Sequence, residues 1–191
     1  MMRLIPFALI LCALPFPGTG RAQEHALTFS PFLSYDRYQG SGFDAGFDYG
    51  AAAALRLAAG LSVRAEASFG PRTITYDVVG GTQSLSGRVS EISLGAEYRL
   101  WGSATSAALS LSLGGGRISA TVDATTVSLG ALGTLTIPAR SSAHGFLEGG
   151  LTAAVPLTGR VGVFLRPAYR SGAAGPAADY SLEGGLRVGL F

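Results

Sequence analysis

Lysine and asparagine are absent from this 191-residue chain, and cysteine occurs only once. The single cysteine, Cys12, lies in an apolar segment near the N-terminus. The rest of the chain can therefore form no disulfide, no thiolate metal site and no cysteine nucleophile. We predict neither a metal nor another cofactor, and we expect stability to come from something other than disulfide bonds.

The N-terminus has the features of a secretory signal peptide. Arg3 gives it a basic start, residues 4–16 form a short apolar core, and residues 20–22 (Gly-Arg-Ala) have small side chains at the first and third positions. The core is too short to span a bilayer as a helix. We predict a signal peptide over residues 1–22, cleaved on export across the inner membrane, and one mature domain over 23–191. The alternative is an uncleaved N-terminal anchor.

Basic and acidic residues are evenly balanced in the predicted mature chain. All 14 basic residues are arginines, and because Arg3 and Arg21 leave with the signal peptide, twelve arginines remain against 12 carboxylates. A net charge near zero argues against nucleic acid as a partner, because binding phosphates requires a basic surplus. It also fits poorly with a freely soluble monomer, whose surface usually carries abundant charge of both signs.

After the signal peptide, no segment is long and apolar enough for a membrane-spanning helix. Apolar and polar residues alternate instead, in runs of roughly ten residues, as transmembrane β-strands require. In the clearest run, 61–69, Leu61 and Phe69 share one face, whereas Arg64 and Glu66 share the other. The alternation predicts eight strands, near residues 26–36, 45–57, 61–69, 91–100, 106–122, 143–155, 161–170 and 180–190.

Short and long connections alternate between the predicted strands, as periplasmic turns and external loops do in outer-membrane barrels. The short ones are 58–60, 101–105 and 156–160, and the longer ones, rich in Gly, Ser and Thr, are near 37–44, 72–87, 118–142 and 171–179. The β-forming part of the loop at 118–142 predicts a hairpin that extends strands five and six. The glycines at 114–116 predict a β-bulge, because the spacing of apolar residues changes parity between Leu113 and Ile118.

The composition of the polar face indicates that this face forms the interior. It contains Gly, Ala and Ser as often as charge, for example at Ser110, Ser112 and Gly114. A water-facing surface carries longer charged side chains, whereas the narrow lumen of an eight-stranded barrel needs small residues beside each charged one. We therefore predict an all-β, eight-stranded, antiparallel, up-and-down transmembrane β-barrel rather than a soluble lipocalin-like barrel. Aromatic residues near strand ends, as in interfacial girdles, support this prediction; they are Tyr35, Phe47, Tyr49, Tyr98, Tyr169 and Tyr180.

The architecture resembles that of the OmpA/OmpX-like small outer-membrane barrel proteins over nearly all of the predicted mature chain. The last strand carries a motif similar to the signal read by the barrel assembly machinery, although its terminal aromatic falls one residue out of register with the preceding hydrophobic residues. The resemblance implies a monomer of the Gram-negative outer membrane, in contact with lipid and lipopolysaccharide and folded by that machinery. The motif residues are Glu183, Gly185, Val188, Leu190 and Phe191.

Charged residues of both signs occur on the polar face. Because buried charges need partners, we interpret them as a salt-bridge network that fills the lumen. The alternative is a narrow, porin-like channel, for which eight strands leave little continuous water. The predicted network comprises Asp48, Arg56, Arg64, Glu66, Glu91, Glu97, Arg99, Glu148, Arg166, Arg170, Glu183 and Arg187.

A lipid-modifying enzyme is a third hypothesis, because some small outer-membrane barrels act on lipids. A serine-type site needs a nucleophile, a base and an orienting acid, and Ser142, His144 and Glu148 would share one face of a strand. However, Phe146 stands where the His-x-Ser arrangement of outer-membrane lipid A deacylases has its serine. We predict no catalytic residues and no enzyme activity. The sequence favours a structural or surface-interaction protein whose long loops make the contacts.

Overall fold

The computed structural model of the chain describes residues 25–38, 44–78, 81–103, 105–128, 133–172 and 178–190. The predicted signal peptide lies outside these ranges. Within them the chain forms no helix with the length and apolarity needed to cross a bilayer. The strands are β1 Leu27–Tyr38, β2 Gly46–Ala58, β3 Leu61–Val78, β4 Gly81–Gly102, β5 Ala108–Val122, β6 Thr125–Ser128, β7 Thr134–Ile137, β8 Arg140–Pro156, β9 Val161–Gly172 and β10 Ala178–Gly189.

Eight of these strands close into an antiparallel barrel in the order β1-β10-β9-β8-β5-β4-β3-β2. Each strand pairs with the next barrel strand along the chain, and the pairing of β1 with β10 closes the cylinder. β6 and β7 form a separate two-stranded sheet in the connection between β5 and β8. Closure pairs the backbone groups of every barrel strand on both sides, which a backbone removed from water requires. The predicted up-and-down, eight-stranded barrel is confirmed.

The barrel is polar inside and apolar outside, which is the reverse of a soluble barrel. On β3, Arg64 and Glu66 are buried in the lumen, while Phe69 is exposed on the outer surface. On β4, Glu91 is buried, whereas the neighbouring Ile92 is 60% exposed. The alternating residues therefore face the directions that were predicted. Charged side chains face the lumen, and large apolar side chains face outward.

The outward apolar residues form a continuous band around the barrel. On β3, β4 and β9 it covers residues 61–69, 92–100 and 161–169, nine positions on each strand. Eight steps of about 3.4 Å, tilted by about 40°, give a band roughly 21 Å high. The apolar band of an outer-membrane barrel is about 25 Å high. The two heights agree, so the band has the size that a bilayer core requires.

Beyond this band, β3 and β4 continue as a long hairpin. The prediction of a loop at 72–87 is wrong here, because β3 runs to Val78 and β4 begins at Gly81, with the positions of the two strands paired throughout. The outward residues of the hairpin are polar, among them Thr73 and Ser86. The alternation is reversed in this hairpin, because apolar residues such as Leu85 and Val89 are buried inside it. A prediction that looked for apolar residues on the outer face therefore did not recognise these strands.

The predicted bulge at 114–116 is also absent, because β5 pairs without interruption with β4 and β8 from Gly114 to Val122. Ile118 and Ala120 consequently face the lumen and are buried there. The prediction assumed that every large apolar residue faces outward. The glycines instead make room inside the barrel, since a Cβ at Gly116 would lie 2.8 Å from the Phe146 ring.

The long connection predicted at 118–142 is largely regular structure. β5 continues to Val122, β8 begins at Arg140, and β6 pairs with β7 between them. The hairpin expected in this region is therefore present, as a sheet of its own rather than as a continuation of β5 and β8.

The six aromatic residues predicted near strand ends are all exposed on the outer surface. Most of them lie toward the end of the barrel that carries the long hairpins, where they pair across strands. Tyr98 lies toward the other end, beside the exposed Trp101. The ring pairs are Tyr35–Phe47, Tyr49–Phe69 and Tyr169–Tyr180, with centroids 5.2, 3.9 and 5.6 Å apart.

Candidate functional site

The structure places all twelve residues of the predicted charge network on the inward face. Two further charged residues, Asp36 and Arg72, join them in the lumen. Neither residue was part of the predicted network, because both lie at the margins of predicted loops. Asp36 nevertheless lies an even number of positions from the inward Ser34, and Arg72 from the inward Ser68. Among the described residues the lumen therefore holds seven carboxylates, at positions 36, 48, 66, 91, 97, 148 and 183, and seven arginines, at 56, 64, 72, 99, 166, 170 and 187.

A central cluster is built around Glu183 on β10, which is fully buried. Its Oε1 accepts a hydrogen bond from Arg166 Nη1 at 2.6 Å, and its Oε2 accepts one from Arg64 Nη2 at 3.2 Å. Arg64 also donates from Nε and Nη2 to Glu66 Oε2, at 3.0 and 2.7 Å. Arg166 completes the cluster by pairing with Glu148. The neighbouring strands β8, β9 and β10 are thus tied to β3 across the lumen.

A second cluster lies nearer the long hairpins. Arg170 contacts four carboxylates, those of Asp36 at 2.9 Å, Glu91 at 2.8 Å, Glu148 at 2.7 Å and Glu183 at 3.5 Å. Arg72 Nη1 lies 2.6 Å from Asp48 Oδ1. The carboxylate oxygens of Asp36, Asp48 and Glu91 approach within 4.8 Å of one another, as the ligands of a metal ion would. Because each of these three carboxylates pairs with Arg72 or Arg170, the arrangement is that of an ion-pair network.

A third group of charges lies near the short-turn end, where the lumen widens. Glu97 on β4 accepts a hydrogen bond from Arg187 Nη2 on β10 at 3.0 Å. The guanidinium of Arg187 also lies 6.0 Å from the centroid of the Phe164 ring. Arg56 and Arg99 line the cavity that lies at this end of the lumen, beside Arg187.

An apolar cluster fills the lumen near the other end. It consists of Val89, Ile118, Ala120 and Phe146, all buried. The Phe146 ring faces Arg170, with the guanidinium carbon 5.6 Å from the ring centroid. The cluster was not predicted, because the predicted bulge placed Ile118 and Ala120 of β5 on the outer face.

The middle of the lumen contains little free space. A cavity beside Arg64, Glu66 and Arg166 has a volume of about 10 Å³. One water molecule needs about 10–15 Å³ of such space. At this cavity the ion pairs of the central cluster leave no room for the continuous water path that a channel would need.

The residues considered for a catalytic site do not form one. Ser142, His144 and Glu148 share the inward parity of β8, but both carboxylate oxygens of Glu148 are engaged by arginines. Among the described residues, no hydrogen bond joins His144 to Ser142 or to Glu148. His144 lies opposite the apolar Ile118 in the pairing of β5 with β8.

The C-terminal motif divides between the two faces of β10. Glu183 and Gly185 face the lumen, whereas Val188 and Leu190 face outward. Gly185 lies against Phe32, and a Cβ added there would approach the Phe32 Cβ to 2.9 Å. Phe191 lies outside the described residues.

No protein-family model matches the sequence, and no curated protein matches it either. Among solved structures, Neisserial surface protein A is similar at a TM-score of 0.62 and 15% identity, covering 86% of this chain and 97% of that one. A major outer-membrane protein of Thermus thermophilus has a TM-score of 0.54 and 20% identity, covering 86% and 99%. The N-terminal barrel domain of Pseudomonas aeruginosa OprF has a TM-score of 0.52 and 12% identity, covering 87% and 98%. The fold is thus that of the small OmpA/OmpX-like barrels.

Proposed function

We propose that the chain is an integral outer-membrane protein with a structural or surface-interaction role. The observation that carries this proposal is the sorting of the two barrel faces. The outer face is an apolar band of bilayer height, and the inner face neutralises its own charges in a filled lumen. A water-soluble protein that exposed so many large apolar side chains would aggregate.

In the proposed orientation, the short turns face the periplasm and the β3–β4 and β6–β7 hairpins face outward from the cell. The outer surface near these hairpins carries the exposed arginines Arg88 and Arg117. Arginine binds phosphate groups through its planar fork of donors, so these residues suit contact with lipopolysaccharide. The polar hairpins would meet host surfaces or the environment. The protein would act as a monomer, after folding by the barrel assembly machinery.

Fractionation of cells followed by gel electrophoresis tests the proposal. We expect the mature protein in the outer-membrane fraction, with an unheated band whose mobility differs from that of the boiled band, because a closed barrel resists detergent until it is heated. Recovery from the soluble fraction, with a mobility that heating does not change, would overturn the proposal. Protease treatment of intact cells provides the orientation test, since cleavage should fall in the hairpins rather than at 58–60 or 157–160.

The filled lumen favours the structural role over the channel. Charged side chains held in direct ion pairs, together with an apolar cluster near one end, oppose the entry of hydrated ions. The arrangement around His144 likewise provides no support for lipid-modifying activity.

A further inference from the structure

An open cavity of about 110 Å³ lies at the short-turn end of the barrel, inside the ring of strands. We call it the vestibule. Among the described residues that line it, the arginines outnumber the carboxylates by four to one. The carboxylate is that of Glu97, and the arginines are Arg56, Arg99, Arg160 and Arg187.

The four arginines reach the vestibule from different parts of the circumference. Arg56 lies near the end of β2, Arg99 near the end of β4, Arg160 in the turn between β8 and β9, and Arg187 on β10. Because of this arrangement, their positive charges converge on one space. The lining of the vestibule, in the part of the chain that the structure describes, therefore carries more positive than negative charge, and the central cluster lies deeper in the lumen.

The inner wall of the vestibule is closed. The Glu97–Arg187 ion pair and the Phe164 ring lie there, and the central cluster lies beyond them. Arg187 Nε is a buried donor for which the described residues provide no acceptor. A solute could therefore enter from the short-turn end and stop, rather than pass through.

The space fits a small anion. At about 10–15 Å³ for each water, the vestibule holds several waters, or one phosphate-sized ion with part of its hydration shell. The hydroxyl group of Ser62 lies among the lining residues and can donate to one of its oxygens. Each guanidinium can donate two parallel hydrogen bonds to a phosphate, so several converging guanidinium groups engage more of its oxygens than a single surface arginine does.

We propose that the vestibule is a binding site for a small phosphate-bearing anion. This inference goes beyond the structural role proposed above. In the proposed orientation the site opens to the periplasm, but binding requires only the folded barrel, so the two proposals can fail separately. A free anion is the expected ligand, because the strands separate the vestibule from the lipid-facing surface and a diacyl lipid would have to leave the bilayer to reach it.

The test titrates inorganic phosphate against the folded full-length mature protein in a zwitterionic detergent, and follows the temperature of barrel unfolding by gel mobility. Ligand that binds only the folded state raises this temperature in a saturable way. We expect saturation with phosphate and none with chloride at equal ionic strength. A second arm adds phosphatidic acid to the micelles, and a stronger effect there would assign the phosphate to a lipid headgroup instead.

Two single variants locate the site. Arg160→Gln changes an exposed turn residue and Arg99→Gln changes a residue within the vestibule. Each should weaken phosphate binding by about tenfold or more, the usual effect of losing one charge-assisted hydrogen bond. Arg140→Gln, at the opposite end of the barrel, is the matched control and should bind as the unchanged protein does. The absence of saturation, or equal loss in Arg140→Gln, would overturn the proposal.

Discussion

Neutralising Glu183 should destabilise the barrel more than any change of a surface charge. The Glu183 carboxylate is fully buried and lies 2.6 Å from Arg166, 3.2 Å from Arg64 and 3.5 Å from Arg170. The substitution Glu183→Gln preserves the size of the side chain and one acceptor oxygen. It removes one negative charge from among three arginines and places an amide donor where a carboxylate oxygen accepted.

The expected magnitude follows from the burial of these groups. Removing one partner of a buried ion pair costs about 3–5 kcal/mol, because the other charge stays buried without compensation. The matched control is Asp123→Asn. Asp123 lies 3.8 Å from Arg88, and the two side chains are 48% and 73% exposed, respectively. Exposed pairs of this kind contribute about 0–1 kcal/mol.

The assay is equilibrium urea unfolding of the mature protein in lipid vesicles, with the folded fraction read from unheated gel mobility. We expect Glu183→Gln to lower the free energy of unfolding by about 3 kcal/mol or more, and Asp123→Asn by less than about 1 kcal/mol. Equal small losses would refute the reasoning, because they would mean that water already screens the charges in the lumen. In a double-mutant cycle, the loss caused by Glu183→Gln together with Arg166→Met should be smaller than the sum of the single losses.

Three further outcomes can be measured. Gly185→Ala should impair folding in vesicles, because a Cβ there would lie 2.8 Å from Phe32 Cα, whereas Gly184→Ala should fold normally because its nearest neighbour is 3.6 Å away; equal folding of the two would contradict the close packing. In planar bilayers the protein should give no steady conductance, and a steady conductance that Arg99→Ala alters would show an open lumen. His144→Ala should leave lipid A and phospholipid composition unchanged, while loss of a modified lipid would restore the enzyme hypothesis.

The sequence predicted the barrel wherever the outer face is apolar. In residues 61–69 the contrast between Phe69 and Glu66 is set by lipid on one side and ion pairs on the other, so the alternation is visible in the residues themselves. Beyond the band the alternation of the β3–β4 hairpin is reversed, with Leu85 and Val89 buried inside and polar residues such as Ser86 exposed outside. These strands therefore lack the apolar outer face on which the prediction relied.

The strict alternation of inward and outward positions along a strand could have corrected the errors at Ile118 and Arg72. Counting in steps of two from Ser112 places Ile118 inside the barrel, and counting from Ser68 places Arg72 there. Hydropathy assigned Ile118 to the lipid face, because an apolar cluster within a polar lumen has no local sequence signature. The partners within the ion-pair network were equally beyond prediction. They depend on which strands lie opposite one another across the lumen, as Arg64 and Glu183 do.

Fluorescence quenching by brominated lipids tests the central claim, that hydrocarbon contacts the outer face. Trp101 is the only tryptophan, so Trp101→Phe with Leu94→Trp gives a single indole on the outer face of β4, where Leu94 is 61% exposed. Ser86→Trp in the same background places the indole on the polar hairpin instead. We expect bromines deep in the acyl chains to quench the first strongly and the second weakly. Equal weak quenching, in a protein that folds without lipid or detergent, would contradict the account.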